Sequence, residues 1–367
     1  MAKKMVKIII IEILIILGIF LYFILKNNTY SNSIQDALST PLESIKVNSV
    51  VNNSKIFKKL EKGLLEGKTE ISVNDLSILK KPEEIFNILD DITNKNPEVM
   101  YYKGAEYSFG KLKLLYSKSS EVINIHQGEI RKIKENFIAN NIFPEMSDYE
   151  KILAIHDYII KTSKYDERLL DTGVVPAESY TSYGILSLGL GVCEGYAKAM
   201  KYLLDGVGIE SILVVGKSKG TNHAWNLVKI ENEYYHIDPT WNDPIGKDGV
   251  DIITYNYLNL DDNAMSISHT WNREKYPIAD GSKFNYFVYN NLIVSGKIEL
   301  EERIEKTLLS KETIFEVKIK DYETNSIDIK EIIEGIAYRN YELVKLEGYS
   351  YSVDEEHGII NINFYYI

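Results

Sequence analysis

The chain has 367 residues, 45% hydrophobic and 26% charged, a globular composition with room for two or three domains, unlike that of a fibrous or extensively disordered protein. Its 42 Lys and Arg against 53 Asp and Glu leave a net charge of -11, which argues against the basic stripe of a nucleic-acid-binding surface. The single Cys excludes an intramolecular disulfide framework and no Cys/His spacing resembles a zinc site, so if Cys193 acts it acts as a thiol.

In chain order, Lys3, Lys4 and Lys7 precede an apolar run from Ile8 to Leu25, which Lys26 closes. Eighteen residues at about 1.5 Å rise span roughly 27 Å, near the thickness of a bilayer's hydrocarbon core. Glu12 lies near the cytoplasmic end, where it can snorkel. The competing reading is a cleaved signal peptide, but the following KNNTYSNS offers no A-x-A site. Residues 1–26 therefore read as a transmembrane anchor, with the N-terminus inside and the rest of the chain outside the cell membrane.

Residues 27–50, rich in Asn, Ser and Thr, read as a linker. Residues 51–119 read as a small α+β module: a helix over 53–66, a strand near 69–73, a helix opening at Pro82 with Ile85, Ile88, Leu89 and Ile92 on one face, then two strands joined at Gly110. The last residues, 283–367, repeat the order αβαββ, and NPEVMYYKGAEYS resembles NYELVKLEGYSYS weakly. The order is a common one, so kinship and chance both remain open. Neither module holds a cluster of reactive side chains, which leaves them spacing or substrate binding.

The middle, 120–282, differs. Ser147 and Glu150 form a capping box before a helix carrying Ile152, Ile155, Ile159 and Ile160. The looser stretch KYDERLLDTGVVPAESYTSY is long enough to lie over a site. Cys193 then opens a helix with Tyr196, Ala197, Met200 and Leu204 at helical spacing, ended by Gly206 and Gly208. A helix start favours an anion, and so a thiolate; a buried Cys acting as a small hydrophobe is the plainer alternative.

The strand SILVVG and the hairpin NHAWNLVKIENEYYHIDPTW, turning at Glu231-Asn232, shift the balance toward the thiolate. With Ile230 paired to Glu233, Trp225 lies opposite Asp238, and His223 shares that face two residues away. Such diagonal neighbours stand roughly 7–8 Å apart at Cα, within reach of an imidazole–carboxylate hydrogen bond. A helix-borne thiol, a strand-borne base and an acid to orient it are the parts of an activated nucleophile. The Cys193 N–H would supply one oxyanion donor and Tyr183 a second.

At these residues the sequence resembles the transglutaminase-like superfamily, a circularly rearranged relative of the papain fold. The match runs through G-x-G-V-C-x-G-Y-A-x-A (Gly189 to Ala199), H-A-W-N-x-V (His223 to Val228) and Y-H-I-D-P-T-W (Tyr235 to Trp241), in the chain order Cys, His, Asp. It implies an α+β fold with a nucleophile helix on an antiparallel sheet, a Cys193, His223, Asp238 triad, and an acyl-enzyme formed on a glutamine side chain or a peptide bond. No cofactor is implied. Some animal members need calcium, but Asp243, Asp248 and Asp251 do not match an EF-hand loop.

Trp225 and Trp241 either line the acyl-substrate groove or fill the space between helix and sheet. His236 is expected to point to the opposite face of its strand from Asp238, as a packing residue, and His156 to be a satisfied core histidine. His269 is a loop histidine that would close over the site. The functional reading is a cell-surface cysteine acyltransferase acting on a protein or peptide at the envelope. Its alternatives are a cysteine peptidase or amidase without amine transfer, and a non-catalytic surface-binding protein.

Overall fold

The computed structural model describes residues 55–73, 84–245, 253–320, 322 and 327–367. The expected membrane span and linker lie outside them, as do Pro82, Asp248 and Asp251. Among the described residues no helix is long and apolar enough to cross a membrane. Lys55–Trp271 and Pro277–Ile367 gather into one compact unit. The segment Asn272–Tyr276 groups apart from it and forms a single 3-10 turn, Arg273–Lys275, capped by Asn272.

The first module is α1 (Lys55–Leu65), β1 (Glu70–Ser72), α2 (Glu84–Lys95), β2 (Tyr102–Ser108) and β3 (Lys111–Tyr116). Ile85, Ile88, Leu89 and Ile92 form the buried face of α2, as their spacing requires. Phe109 and Gly110, both with positive φ (46° and 76°), make the tight turn between β2 and β3. The sheet order is β1-β3-β2, antiparallel throughout.

Next come α3 (Ser120–Asn141), α4 (Asp148–Thr162), β4 (Lys164–Tyr165), α5 (Arg168–Thr172), α6 (Ser182–Leu186), β5 (Leu190–Gly191) and α7 (Cys193–Gly206). Helix α3 is absent from the sequence reading, because its buried residues Ile123, Ile130 and Phe137 recur only every seven and make a narrow stripe on a charged helix. The α4 capping box forms in both directions, Ser147 accepting from the Glu150 N–H and Glu150 from the Ser147 N–H. Strands β6 (Ser211–Ser218), β7 (Thr221–Ile230), β8 (Glu233–Ile237), β9 (Leu258–Leu260) and β10 (His269–Trp271) form a five-stranded antiparallel sheet in the order β10-β6-β7-β8-β9. Helix α7 lies in the middle, with Tyr196, Ala199, Met200, Leu203 and Leu204 in one core with the apolar faces of α3, α4 and the sheet.

After α8 (Asp262–Met265) and α9 (Tyr286–Tyr289), the last module runs β11 (Ile293–Val294), α10 (Lys297–Leu309), β12 (Ile314–Ile319), α11 (Ile329–Arg339), α12 (Tyr341–Val344), β13 (Leu346–Asp354) and β14 (Ile359–Tyr366). Period-two burial of Phe315, Val317 and Ile319 meets Ile360, Ile362 and Phe364 across the β12–β14 pair. Leu300, Ile304 and Leu308 on α10 and Ile329, Ile332, Ile333 and Ile336 on α11 cover that face. The β12-β14-β13 order, with both pairs antiparallel, matches the β1-β3-β2 order of the first module, and β11 adds a parallel edge strand.

Glu316 of β12 is half-buried, and its carboxyl is pushed up to about 7: burial disfavours the charged form and the Tyr286 hydrogen bond offsets only part of this. The folded state thus binds this proton more tightly than the unfolded chain. Its stabilisation is present below the ordinary value of 4.5 and is lost as pH rises through about 7. Glu316→Gln removes that loss. Urea unfolding should show the variant gaining on the parent between pH 5 and pH 8, by up to about 3 kcal/mol.

Candidate functional site

Cys193 occupies the first position of α7, half-buried, and the residue before it, Val192, provides no side-chain cap. The first N–H groups of the helix are therefore left for a partner outside it. The chain reaches this point through close contacts that only glycine permits: a Cβ on Gly195 would stand 2.5 Å from the Ser179 carbonyl oxygen, and one on Gly191 2.9 Å from the same atom. Asp166 fixes the segment carrying that carbonyl, accepting from Arg168 Nε and Nη2 at 2.7 and 2.8 Å and from Ser179 Oγ at 2.6 Å. Gly195→Ala has to push this backbone away. We expect a loss of about 1–3 kcal/mol, read by urea unfolding, with slower alkylation of Cys193.

Helix α7 is tied to the sheet at the same level. Ala197, Leu213 and Ala224 form a small cluster, and the buried Asn226 of β7 donates to the Ala197 carbonyl at 2.9 Å. The small residues of A-x-A let the helix approach the strands, and the Asn of H-A-W-N fixes the register between them.

Strands β7 and β8 pair from Ile230↔Glu233 to Asn226↔Ile237, the register the hairpin reading requires. Beyond Ile237 the chain turns at Pro239, and the Asp238 carboxylate faces back under His223. His223 Nε2 donates to Asp238 Oδ2 at 2.6 Å, while Cys193 also hydrogen-bonds the His223 side chain. Asp238 Oδ1 accepts from the Thr240 and Trp241 N–H groups at 3.0 and 3.2 Å. The structure thus brings Cys193, His223 and Asp238 into one hydrogen-bonded chain.

The electrostatics follow from this arrangement. Burial alone would lower His223, but the Asp238 carboxylate, its hydrogen bond and the contact with Cys193 outweigh burial and raise it to about 10. Burial pushes Asp238 up, yet His223 and His269 together hold it well below the usual carboxylate range. The imidazole next to the thiol is therefore held as its cation. Tyr165 is pushed up to about 12 by burial and by the nearby Cys193, and Tyr180 is raised by burial, then by the charge of Glu194, then by Cys193. Both come from the loop that the sequence reading treated only as a cover.

Other expected site residues stand elsewhere. Trp225 is fully buried, donates from Nε1 to His236 Nδ1 at 2.9 Å, and packs edge-on against His269 and Trp271, so it supports the site from beneath and lines no groove. Tyr183 stacks on His126 of α3 at 3.7 Å between centroids, and its hydroxyl bonds Ser187 and Glu129, which removes it as an oxyanion donor. His236 does not face away from Asp238: residues two apart share a face, and its ring sits against Trp225, with Nε2 donating to Asp262 at 2.9 Å. Its packing role holds. Trp241 stays half-buried near His269, with Lys219 Nζ 4.7 Å from its ring centroid. His156 is buried and neutral, accepting from Asn242 Nδ2 at 2.9 Å.

His269 is the residue the sequence placed least well. It is buried on β10, with Nε2 3.0 Å from Asp238 Oδ2. The ligand-type atoms of His223, Asp238 and His269 lie within 4.8 Å of one another. Two ligands of one tetrahedral zinc ion stand about 3.4 Å apart at bond lengths near 2.1 Å, however, and both imidazoles are closer than that to Asp238 Oδ2. The cluster has the spacing of hydrogen bonds.

A cleft of about 330 Å³ opens beside the first turn of α7, between Tyr102 and Lys103 of β2 on one side and Tyr180, Glu194 and Lys198 on the other. Cys193, His223 and Asp238 are not among the residues that line it.

The thiol thus stands at an open helix start, with an imidazole on β7 and a carboxylate just past the end of the adjacent antiparallel strand β8. Residues 136–239 match the family model described as Transglutaminase-like superfamily. The Kyphoscoliosis peptidase of Mus musculus is 26% identical over 135 residues, 34% of this chain. The chain spans only 20% of that relative's length. A solved structure described as a TGase is 17% identical, covering 41% of this chain and 46% of its own, with a TM-score of 0.30. A candidate cysteine protease from Cytophaga hutchinsonii is 18% identical, covering 34% and 43%, with a TM-score of 0.26.

Proposed function

We propose that the protein is a membrane-anchored, outward-facing cysteine enzyme that forms a thioester on a protein or peptide amide through Cys193, His223 and Asp238. The observation that carries this reading is the hydrogen-bonded chain from the thiol to the Asp238 carboxylate at an uncapped helix start.

In this reading the Cys193 proton already rests on His223 as an imidazolium–thiolate pair, and the Sγ attacks the amide carbonyl carbon. The Cys193 N–H at the helix start stabilises the oxyanion. The C–N bond breaks as His223 returns its proton to the departing amine, leaving a thioester on Cys193. A second amine or water then attacks the thioester, His223 takes that nucleophile's proton, and collapse restores the thiol. Asp238 stays ionised and holds the imidazole. Amine transfer and hydrolysis differ only in the final nucleophile, and the name of the mouse relative gives some weight to water. The substrate chain is proposed to enter by the cleft beside Glu194 and Lys198.

The test offers glutamine-containing peptides with and without a biotinylated primary amine. Wild-type protein should give an adduct mass on Cys193 and either amine-labelled or hydrolysed peptide, and Cys193→Ala should give neither. Full activity in Cys193→Ala would overturn the enzyme reading in favour of a surface-binding protein. Recovery in the membrane fraction, with the folded part open to protease added outside intact cells, tests the anchor.

A further inference from the structure

Asp238 carries more donors than the proposed reaction requires. Its Oδ1 accepts two backbone N–H groups and its Oδ2 accepts two imidazoles, His223 at 2.6 Å and His269 at 3.0 Å. The His269 ring is fixed from all sides. Ser268 Oγ lies 2.8 Å from its Nδ1, and the Tyr257 hydroxyl stands 3.2 Å from that Oγ. Trp225, Tyr257 and Trp241 meet its ring edge to face, with centroids 5.0, 5.5 and 5.9 Å away. An ionised carboxylate only accepts, so both Nε2 atoms carry hydrogen.

The geometry points to His269 as a positioning residue that sets, through Asp238, how tightly His223 holds its proton. This inference rests on the reading of Cys193 as the nucleophile. Two imidazoles on one oxygen divide its charge. With His269 present, the carboxylate is turned and partly neutralised before His223 reaches it. Without His269, the same oxygen concentrates its charge on His223 and loses the hydrogen bond that fixes its plane. Other titratable or charged groups packed around the chain include Cys193 with Tyr165, Tyr180 and Glu194 beyond it, His236 against Trp225, Tyr257 beside His269 with His357, Asp354 and Glu356 beyond it, and Lys219 over Trp241. Among the described residues, His269 is the one other side chain that shares the carboxylate with His223. The His269 hydrogen bond is also among the causes that hold Asp238 ionised.

The test compares His269→Phe, which fills the space without a donor, with His269→Gln, whose Nε2 can donate from nearly the same position. Cys193 alkylation by iodoacetamide is followed against pH in the full-length protein, together with kcat, KM and thermal unfolding. In His269→Phe the alkylation midpoint should move to lower pH by half a unit or more, because a more strongly held imidazolium stabilises the thiolate beside it. Its kcat should fall about tenfold at unchanged KM, since that imidazolium is a poorer acid toward the leaving amine. His269→Gln should restore the midpoint and most of kcat.

A purely structural role predicts a lower unfolding temperature with an unmoved midpoint, and that result overturns the inference. So does a Gln variant no better than Phe in midpoint and kcat. The underlying reading fails differently, through a wild-type alkylation profile that His223→Ala leaves unchanged.

Discussion

His223→Ala is expected to lower kcat/KM at neutral pH by roughly 1,000- to 10,000-fold and to slow Cys193 alkylation below pH 8. The reason is local. The His223 proton is held because Asp238 lies 2.6 Å from Nε2, and that held charge faces the thiol. Removing the ring leaves Cys193 with only the helix start to favour its anion, and removes the acid that the departing amine needs. In the wild-type protein the high-pH limb of kcat/KM should lie near pH 10, where the imidazolium gives up its proton. Titrating kcat/KM and alkylation in both proteins checks this. An alanine variant with the wild-type alkylation profile would show that His223 does not control the thiol.

Much of this site can be read from the sequence because its register is local. The β7–β8 hairpin is closed by a two-residue turn, so Ile230↔Glu233 fixes which residues share a face with Asp238. Helix α7 announces itself by apolar spacing that opens at Cys193 and stops at Gly206. What fails is contact between distant segments. His269 reaches Asp238 from a three-residue edge strand 31 positions downstream, too short for alternation to reveal its direction. Tyr183 looked well placed by its nearness in sequence to Cys193, yet the turn of α6 sends its ring to His126. His236 shares the face of Asp238, since a two-residue step along a strand returns to the same face.

The flanking modules illustrate the same division. Their helices follow from apolar spacing at three and four, and their hairpins from Gly110 and the residues around Gly358. The shared strand order β1-β3-β2 and β12-β14-β13 is a long-range property that sequence similarity barely hints at. It places the longest pairing of the last module, β13 with β14, at the chain's end. It also leaves β2 as the edge strand whose Tyr102 and Lys103 border the cleft near Cys193.

Asp238→Asn is expected to cost activity on a scale similar to His223→Ala, and by a different route. Both Asp238 oxygens are saturated: Oδ1 by two backbone N–H groups, Oδ2 by two imidazoles. An asparagine must turn its NH2 toward one of these pairs, and either choice sets donors against donors. If the NH2 meets His223, the imidazole moves its hydrogen to Nδ1 and can no longer take the Cys193 proton. The predicted loss in kcat is about 1,000- to 10,000-fold, with the high-pH limb moving below 10 because only Cys193 then offsets the effect of burial on His223. Stability falls as well, by about 3 kcal/mol at neutral pH. The sign follows from Asp238: its carboxyl is lower folded than unfolded, so its stabilisation is present above the unfolded value and disappears as pH falls through the folded one. Urea unfolding of parent and variant from pH 7 downward should therefore converge toward acid. Curves that stay parallel across that range would mean that Asp238 does not gain its stabilisation from the two imidazoles.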